Sequence, residues 1–308
     1  MRIMFVCSGN SGGIAPFIKE QANALKKEGF NITFFLIKGK GLMGYLNNYL
    51  NYKKAINNFK PELIHAHYGL SGLFANLQRR IPVVTTYHGS DINNSKVRPF
   101  SKIAAKLSVK NIFVSQKLLL QVHKSVKNVF IPCGINTSVF YHMDKMQARQ
   151  EMGFTPETQL VLFSSAFTNA VKNYPLAKNA IKKLKNVLLI ELKGYSPEEV
   201  NLLCNACDIA LMTSFTEGSP QFIKENMACN TPIVSTNVGD VDWLFCLESG
   251  HFISNFTPEN VVNKIRLALQ YSSENKETKG RNRILDLGLN SKSVAKKIIL
   301  IYKDKIKS

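Results

Sequence analysis

Short runs rich in β-branched and aromatic residues alternate along this chain with stretches whose apolar positions recur every three or four residues. In the first half the short runs are Arg2–Ser8, Ile32–Lys38, Leu63–Ala66, Val83–Tyr87, Asn111–Ser115 and Val129–Pro132. Helical periodicity fills most of the gaps, as in Ala15–Glu28, which Gly29 closes, and Tyr68–Arg79. The second half repeats the scheme, with runs at Leu160–Ser165, Val187–Leu192, Ile209–Thr213 and Pro232–Thr236. Strands that are nearly all apolar and separated by helices imply a parallel sheet covered on both faces. Ser196, Pro197 and Glu199 open a helix as N-cap, first-turn proline and N3 acid. Residues 292–307 form a last amphipathic helix with Val294, Ile298, Ile301 and Tyr302 on one face. The pattern predicts an α/β chain of two doubly wound domains, residues 1–142 and 143–308, joined near 141–158. The last helix is expected to pack back on the first domain. Ligands of such sheets bind beyond the carboxyl ends of the strands, so the expected site is a central cleft faced by both domains.

A length of 308 residues suits two domains, and 45% hydrophobic with 20% charged residues excludes a mostly disordered chain. No apolar run approaches the ~18 residues of a membrane-spanning helix, and Met1–Cys7 is too short for a signal-peptide core. Cys7, Cys133, Cys204, Cys207, Cys229 and Cys246 sit mostly in apolar runs and read as reduced core residues. The expected location is cytoplasmic. Charge changes the picture: residues 1–150 carry 21 basic and 5 acidic side chains, a net of +16 out of +19 for the whole chain. Such an imbalance points to an anionic partner (nucleic acid, a phosphorylated ligand or a bilayer) or to a solvated lysine-rich face.

The densest candidate chemistry lies between Thr213 and Thr236, which reads strand, loop, helix, tight turn, strand. Pro220 fits the first helical turn, and the amides of Gln221 and Phe222 would then point outward at a helix start that favours phosphate. Glu217 precedes the helix and Glu225 lies one turn inside it, positions suited to accepting hydrogen bonds from sugar hydroxyls. Two glutamates eight apart also arise as a cap and a surface residue.

Glu217 and Glu225, with the following Met227-Ala-Cys-Asn-Thr-Pro-Ile-Val-Ser-Thr-Asn-Val-Gly239, resemble the donor segment of retaining glycosyltransferases of family 4, which have the GT-B fold of two Rossmann-like domains. The resemblance runs nearly end to end. It takes in Ser11-Gly-Gly13, His65-Ala-His67-Tyr-Gly69, Tyr87-His-Gly-Ser-Asp91, Ile131–Phe140 and Leu162-Phe-Ser-Ser165 with Val171-Lys-Asn-Tyr-Pro-Leu-Ala177. It implies that Glu225 binds the ribose of a nucleotide-sugar and Glu217 the transferred sugar. Gly218, Ser219, Pro220, Gln221 and Phe222 would hold the diphosphate, and Lys172 would neutralise it as it leaves. Lys193 and Gly194, followed by Tyr195, would line the base pocket. His88 would face the reacting sugar and acceptor, with Gly12, Gly13 and Asp91 on the acceptor side and Gly13 also near the donor. The catalytic set is then His88, Lys172 and Glu217. No cofactor beyond the nucleoside diphosphate sugar and no metal is implied.

The sequence departs from the family pattern in three places. Ser164-Ser-Ala166 stands where an arginine is usual, Cys133 and Asn136 replace the usual asparagine and aspartate, and Gly239-Asp-Val-Asp-Trp243 replaces Gly-Gly-hydrophobic-Pro-Glu.

Other motifs compete. Asp240 and Asp242 match a metal-binding D-x-D, or Asp242 caps a short helix. Cys204 and Cys207 have zinc-like spacing without a second pair and read as core. His65 and His67 alternate on a strand end and read either as structural or as supports behind the residues that touch a ligand. Lys102, Lys106 and Lys110, interleaved with Phe100, Ile103 and Leu107, and the stretch Leu42–Lys54 fit an anionic membrane surface. Alternatively, their apolar residues face the sheet and their lysines face water.

The resulting expectation is a retaining, metal-independent glycosyltransferase for a glycan or polyprenyl-diphosphate-linked acceptor in bacterial surface polysaccharide synthesis, peripheral at the inner face of the membrane. The rivals are a sugar-nucleotide epimerase or phosphorylase of the same fold, a basic nucleic-acid-binding protein, and a non-catalytic nucleotide-sugar binder. The nucleic-acid reading ranks low because no recognition motif accompanies the charge.

Overall fold

In the computed structural model the described residues are Met1–Ile306 without Ser11, His123, Lys124, Leu247, Asn275 and Lys276, and without the side chains of Leu42, Lys305 and Ile306. Ser11 of the glycine-rich loop and Lys307 of the last helix thus lie outside the described residues. The chain divides into two compact units, Met1–Gly134 with Ser291–Ser308, and Ile135–Asn290.

The first unit holds a six-stranded sheet of β1 (Arg2–Ser8), β2 (Asn31–Ile37), β3 (Leu63–His67), β4 (Val83–Tyr87), β5 (Lys110–Phe113) and β6 (Asn128–Phe130). All neighbours are parallel, in the order β2-β1-β3-β4-β5-β6. The apolar runs follow from burial on both faces. On one side Ile3, Phe5 and Cys7 of β1 pack with Ile18, Ala22 and Leu25 of the helix Pro16–Lys27. On the other Met4 and Val6 meet Tyr52 and Phe74. The last helix, Ser291–Ile306, lays Val294, Ile298, Ile301 and Tyr302 into the core of this unit.

The second unit holds β7 (Gln159–Phe163), β8 (Val187–Glu191), β9 (Ile209–Met212), β10 (Ile233–Thr236) and β11 (His251–Ser254), parallel in the order β11-β10-β9-β7-β8. The edge strand β11 has no counterpart among the expected strands. It is four residues long and half-exposed, so it lacks the apolar run that marks the others. Ser196 caps the helix Pro197–Ala206 in a reciprocal capping box with Glu199. Cys204 and Cys207 lie in the core and five of the six cysteines are buried, whereas Cys246 is exposed.

The change of unit falls at Gly134/Ile135, ahead of the linker expected near 141–158. The reason is local packing. The Ile135 amide donates to the Leu289 carbonyl at 2.8 Å, and Ile135 and Phe140 are buried in the second core. The chain returns to the first unit at Ser291, where a Cβ on Gly134 would stand 3.0 Å from the Ser291 Cα.

Candidate active site

The carboxyl ends of β7 and β9, in the interior of the second sheet, carry most residues of the expected donor site, from Lys172 and from Glu217 to Glu225. Thr213, at the end of β9, donates its hydroxyl to the carbonyls of Lys172 (2.9 Å) and Asn173 (3.0 Å), which ties the two loops together. The Phe215 amide adds a bond to the Val171 carbonyl at 2.9 Å. Across this junction Lys172 Nζ meets Glu217 Oε1 at 2.6 Å. Their side chains keep 17% and 16% of their surface exposed, so the pair is screened from bulk water yet open to a ligand.

The next residues form a tight crossing. Gly239 has φ +59°, and a Cβ there would come within 2.5 Å of the Gly218 carbonyl oxygen. Only glycine permits both the left-handed backbone and that approach. Ser219 donates its hydroxyl to Asp240 Oδ2 at 2.6 Å, so the turn after β10 supports the loop before the helix Gln221–Ala228. Pro220 occupies the N-cap position of that helix, one residue earlier than expected, and makes no side-chain cap hydrogen bond. A proline supplies no side-chain acceptor, which leaves the positive end of the helix suited to an anion.

Glu225, one turn inside, is half-buried, and its carboxyl takes part in no hydrogen bond among the described residues. Burial pushes this carboxyl up to about 7, although Lys224 and Lys172 pull the other way. An acid held at that cost without a hydrogen bond among the described residues is a candidate for a ligand's hydroxyls. Asp240 is also raised by burial, to about 6, against the opposing pull of Lys224 and the Ser219 bond. Asp242 sits in the first turn of the helix Val241–Phe245, and the N-cap expected of it falls to Asp240, whose side chain makes no cap bond because it faces Ser219. At the carboxyl end of the edge strand β8, Lys193, Gly194 and Tyr195 form an exposed loop in which Gly194 has φ +82°.

In the first unit Gly12 and Gly13 adopt φ +87° and +148° with open space where a Cβ would stand. His88, at the end of β4, is half-buried and packs its ring on Phe17, Tyr68 and His67 at centroid distances of 4.8, 4.7 and 5.3 Å. Both its ring nitrogens face protein groups: Nε2 lies 3.1 Å from His67 Nδ1, and Nδ1 lies 3.7 Å from Cys133 Sγ. The buried Asp91 carboxylate accepts from the amides of His88, Gly89 and Gly69 at 2.9–3.3 Å. In the structure Asp91 therefore fixes the turn that carries His88, and burial raises it to about 6 despite these bonds. His65 is buried between Tyr302 and Thr86, and burial lowers it to about 3, a neutral structural histidine.

Sequence reasoning passed over three features. Lys224 is fully buried in the helix Gln221–Ala228, its charge reaching Glu225 and Asp240. A lysine between Phe222-Ile223 and a motif glutamate was the available signal. The His67–His88 contact joins two strand ends 21 residues apart, which no local pattern encodes. Phe215 and Phe256, both exposed, stack on one another from different loops.

Two family models match the chain. Residues 33–139 match Glycosyltransferase Family 4 and residues 176–284 match Glycosyl transferases group 1. Together they span more than half of the sequence, and the chain belongs to the family 4 glycosyltransferases. Among curated proteins it is 25% identical over 217 residues to the "Putative teichuronic acid biosynthesis glycosyltransferase TuaC" of Bacillus subtilis, a match covering 60% of this chain and 55% of that one. The chain spans about half the length of the curated relatives it matches. Among solved structures, sucrose-phosphate synthase from Thermosynechococcus elongatus superposes with a TM-score of 0.87 at 16% identity, covering 100% of this chain and 99% of the other. Anabaena Alr3699/HepE in complex with UDP and glucose gives 0.73 at 16% identity, covering 99% and 100%. The fold is that of the GT-B glycosyltransferases: two doubly wound α/β units with parallel sheets.

Proposed function

We propose that this protein is a retaining glycosyltransferase that moves a sugar from a nucleoside diphosphate donor without a metal ion. One observation carries the reading: the Lys172–Glu217 ion pair lies at the loop that leads into the helix Gln221–Ala228, and Glu225, one turn inside that helix, has a carboxyl with no hydrogen bond among the described residues. A diphosphate at that helix start would compete with Glu217 for the Lys172 ammonium. Lys172 would then neutralise the charge that grows on the phosphate as the bond from the anomeric carbon to the phosphate oxygen breaks. Glu217, released, would accept from hydroxyls of the transferred sugar while Glu225 takes those of the ribose. The acceptor oxygen attacks the anomeric carbon from the face the phosphate leaves, and its proton passes to the departing phosphate oxygen. In this scheme no protein nucleophile is needed, and Lys172 supplies the cation that a metal would otherwise bring. Gly12, Gly13 and His88 belong to the acceptor's side of the reaction, with Asp91 and His67 holding His88. The binding of UDP and glucose by the Anabaena protein supports a nucleotide-sugar donor.

A thermal-shift screen over UDP, GDP, ADP, CMP and their sugars, run in EDTA, tests this. One nucleoside diphosphate at ~100 times its Kd should stabilise the protein by about 2.7 kcal/mol. If none raises the melting temperature, the donor assignment is wrong.

We further assign the acceptor to a membrane-borne glycan of a bacterial surface polysaccharide, in line with the name of the Bacillus relative. The helix Arg98–Leu107 exposes Phe100 (46%) and Ile103 (47%) beside Lys102 and Lys106, so these two apolar side chains do not cover the sheet. Met43, Leu46 and Leu50 are exposed near Lys53 and Lys54. Lys110 begins β5, apart from that helical stripe. Among the described residues no helix is long and apolar enough to cross a membrane. Sedimentation with phosphatidylglycerol vesicles should exceed that with phosphatidylcholine vesicles, and equal sedimentation would remove the membrane assignment.

A further inference from the structure

Phe215 and Phe256 stand in water where packing alone gives no reason for them. Phe215 lies in the loop after β9 and Phe256 in the loop after β11, and they are 58% and 49% exposed. Their rings nevertheless stack, with centroids 5.9 Å apart and planes 18° apart. Phe215 is fixed to the Lys172 turn through the hydrogen bond its amide donates to the carbonyl of Val171, itself 45% exposed. Two residues further on is Glu217, paired with Lys172. Exposed aromatic rings that hold a fixed stacking geometry, beside the exposed Val171, make a candidate binding surface.

Its place in the sheet narrows the ligand. In the order β11-β10-β9-β7-β8 the exposed loop Lys193–Tyr195 ends the β8 edge, whereas the two phenylalanines rise from β9 and β11. The pair is therefore on the opposite side of Lys172 from the loop assigned to the base. Glu217, assigned above to the hydroxyls of the transferred sugar, is two residues from Phe215, so the ligand group expected nearest this loop is a sugar. A pyranose ring has one face of C–H groups polarised by the ring oxygens, and a phenyl face carries the negative lobe of its quadrupole. The ring hydroxyls, at the sugar's edge, would stay in reach of water and of Glu217.

We propose that Phe215 and Phe256 form a platform for the apolar face of a pyranose ring, contributed by the acceptor or by the transferred sugar. This rests on the glycosyltransferase reading above. The test is saturation-transfer NMR with methyl α- and β-pyranosides of glucose, galactose and N-acetylglucosamine, on protein loaded with the best nucleoside diphosphate from the thermal-shift screen. The variant is Phe215→Ser with Phe256→Ser; both side chains are exposed, so the core is untouched, and Phe215→Tyr preserves the platform. At least one glycoside should show transfer concentrated on the protons of one ring face, and the double variant should bind it about three- to tenfold more weakly. The tyrosine variant should match the wild type, and nucleotide affinity should be equal in all three. If the ring comes from the donor, the double variant should also lose affinity for the nucleotide-sugar relative to the bare nucleotide; if from the acceptor, that ratio stays constant. Equal glycoside binding in wild type and double variant, or none in a wild type that binds nucleotide, overturns the proposal. Loss of self-association in the double variant with unchanged glycoside binding would assign the pair to a contact between copies and overturn it too. A wild type that binds no nucleotide fails the donor assignment instead.

Discussion

Lys172→Ala should lower kcat by about 100- to 1000-fold while the protein still folds. Removing one preorganised group that meets transition-state charge typically has this effect. The ammonium acts on charge that appears only as the sugar–phosphate bond breaks, so kcat should fall much more than KM rises. Folding is little affected because the Lys172–Glu217 pair lies at the end of a short turn and both side chains retain solvent contact. Lys172→Arg, which keeps the charge but alters its geometry, should recover part of the rate. Initial rates of nucleotide release, with circular dichroism melting as the folding control, check all of this. A Lys172→Ala variant with wild-type kcat, or one that is simply unfolded, would not fit the assigned role.

Glu225→Gln should have opposite effects on binding and on stability. Charge-assisted hydrogen bonds from ribose hydroxyls to a carboxylate are worth about 1.5–3 kcal/mol, so nucleotide affinity should fall about 10- to 100-fold at pH 8. Stability should move the other way. Burial raises the Glu225 carboxyl to about 7 in the folded protein, against 4.5 ordinarily. The folded state then holds this proton more tightly than the unfolded chain, so the contribution of Glu225 to stability is lost as pH rises from about 4.5 through 7. An amide has no such titration. The stability of Glu225→Gln relative to wild type should increase by about 1–3 kcal/mol between pH 5 and pH 8, read by urea unfolding at both values. A residue placed only for folding would lose stability on substitution, and a group that gains stability as it loses affinity is one held in readiness for a ligand.

Much of the fold was legible because a strand of a doubly covered parallel sheet has little choice of composition. β1 buries Ile3, Phe5 and Cys7 on one face and Met4 and Val6 on the other, and the run of apolar residues announces that burial. The capping box at Ser196 and Glu199 was equally plain, since its two hydrogen bonds join residues three apart. β11 was not legible: at the sheet edge, half-exposed, its four residues need no apolar run. The unit boundary was hidden for a different reason. Ile135 is fixed by Leu289, more than 150 residues away, and local composition carries no trace of such a partner.

The site divides in the same way. Glu217, Glu225 and Lys172 were singled out from spacing and resemblance, and the structure brings Lys172 and Glu217 into contact. The surroundings of His88 and Asp91 were not foreseeable in detail, because their partners come from the ends of neighbouring strands. Nor was Lys224. A lysine on a short helix is usually solvated, and only the fold shows that this one is enclosed near Glu225 and Asp240.

A crystal structure of the protein with the nucleoside diphosphate selected by the thermal-shift screen bears most directly on how the donor is gripped. The β-phosphate should lie within hydrogen-bond distance of Lys172 Nζ and of backbone amides at the start of the helix Gln221–Ala228, with the ribose hydroxyls on the Glu225 carboxylate. A nucleotide bound elsewhere, with Lys172 still paired to Glu217 and Glu225 untouched, would contradict the account.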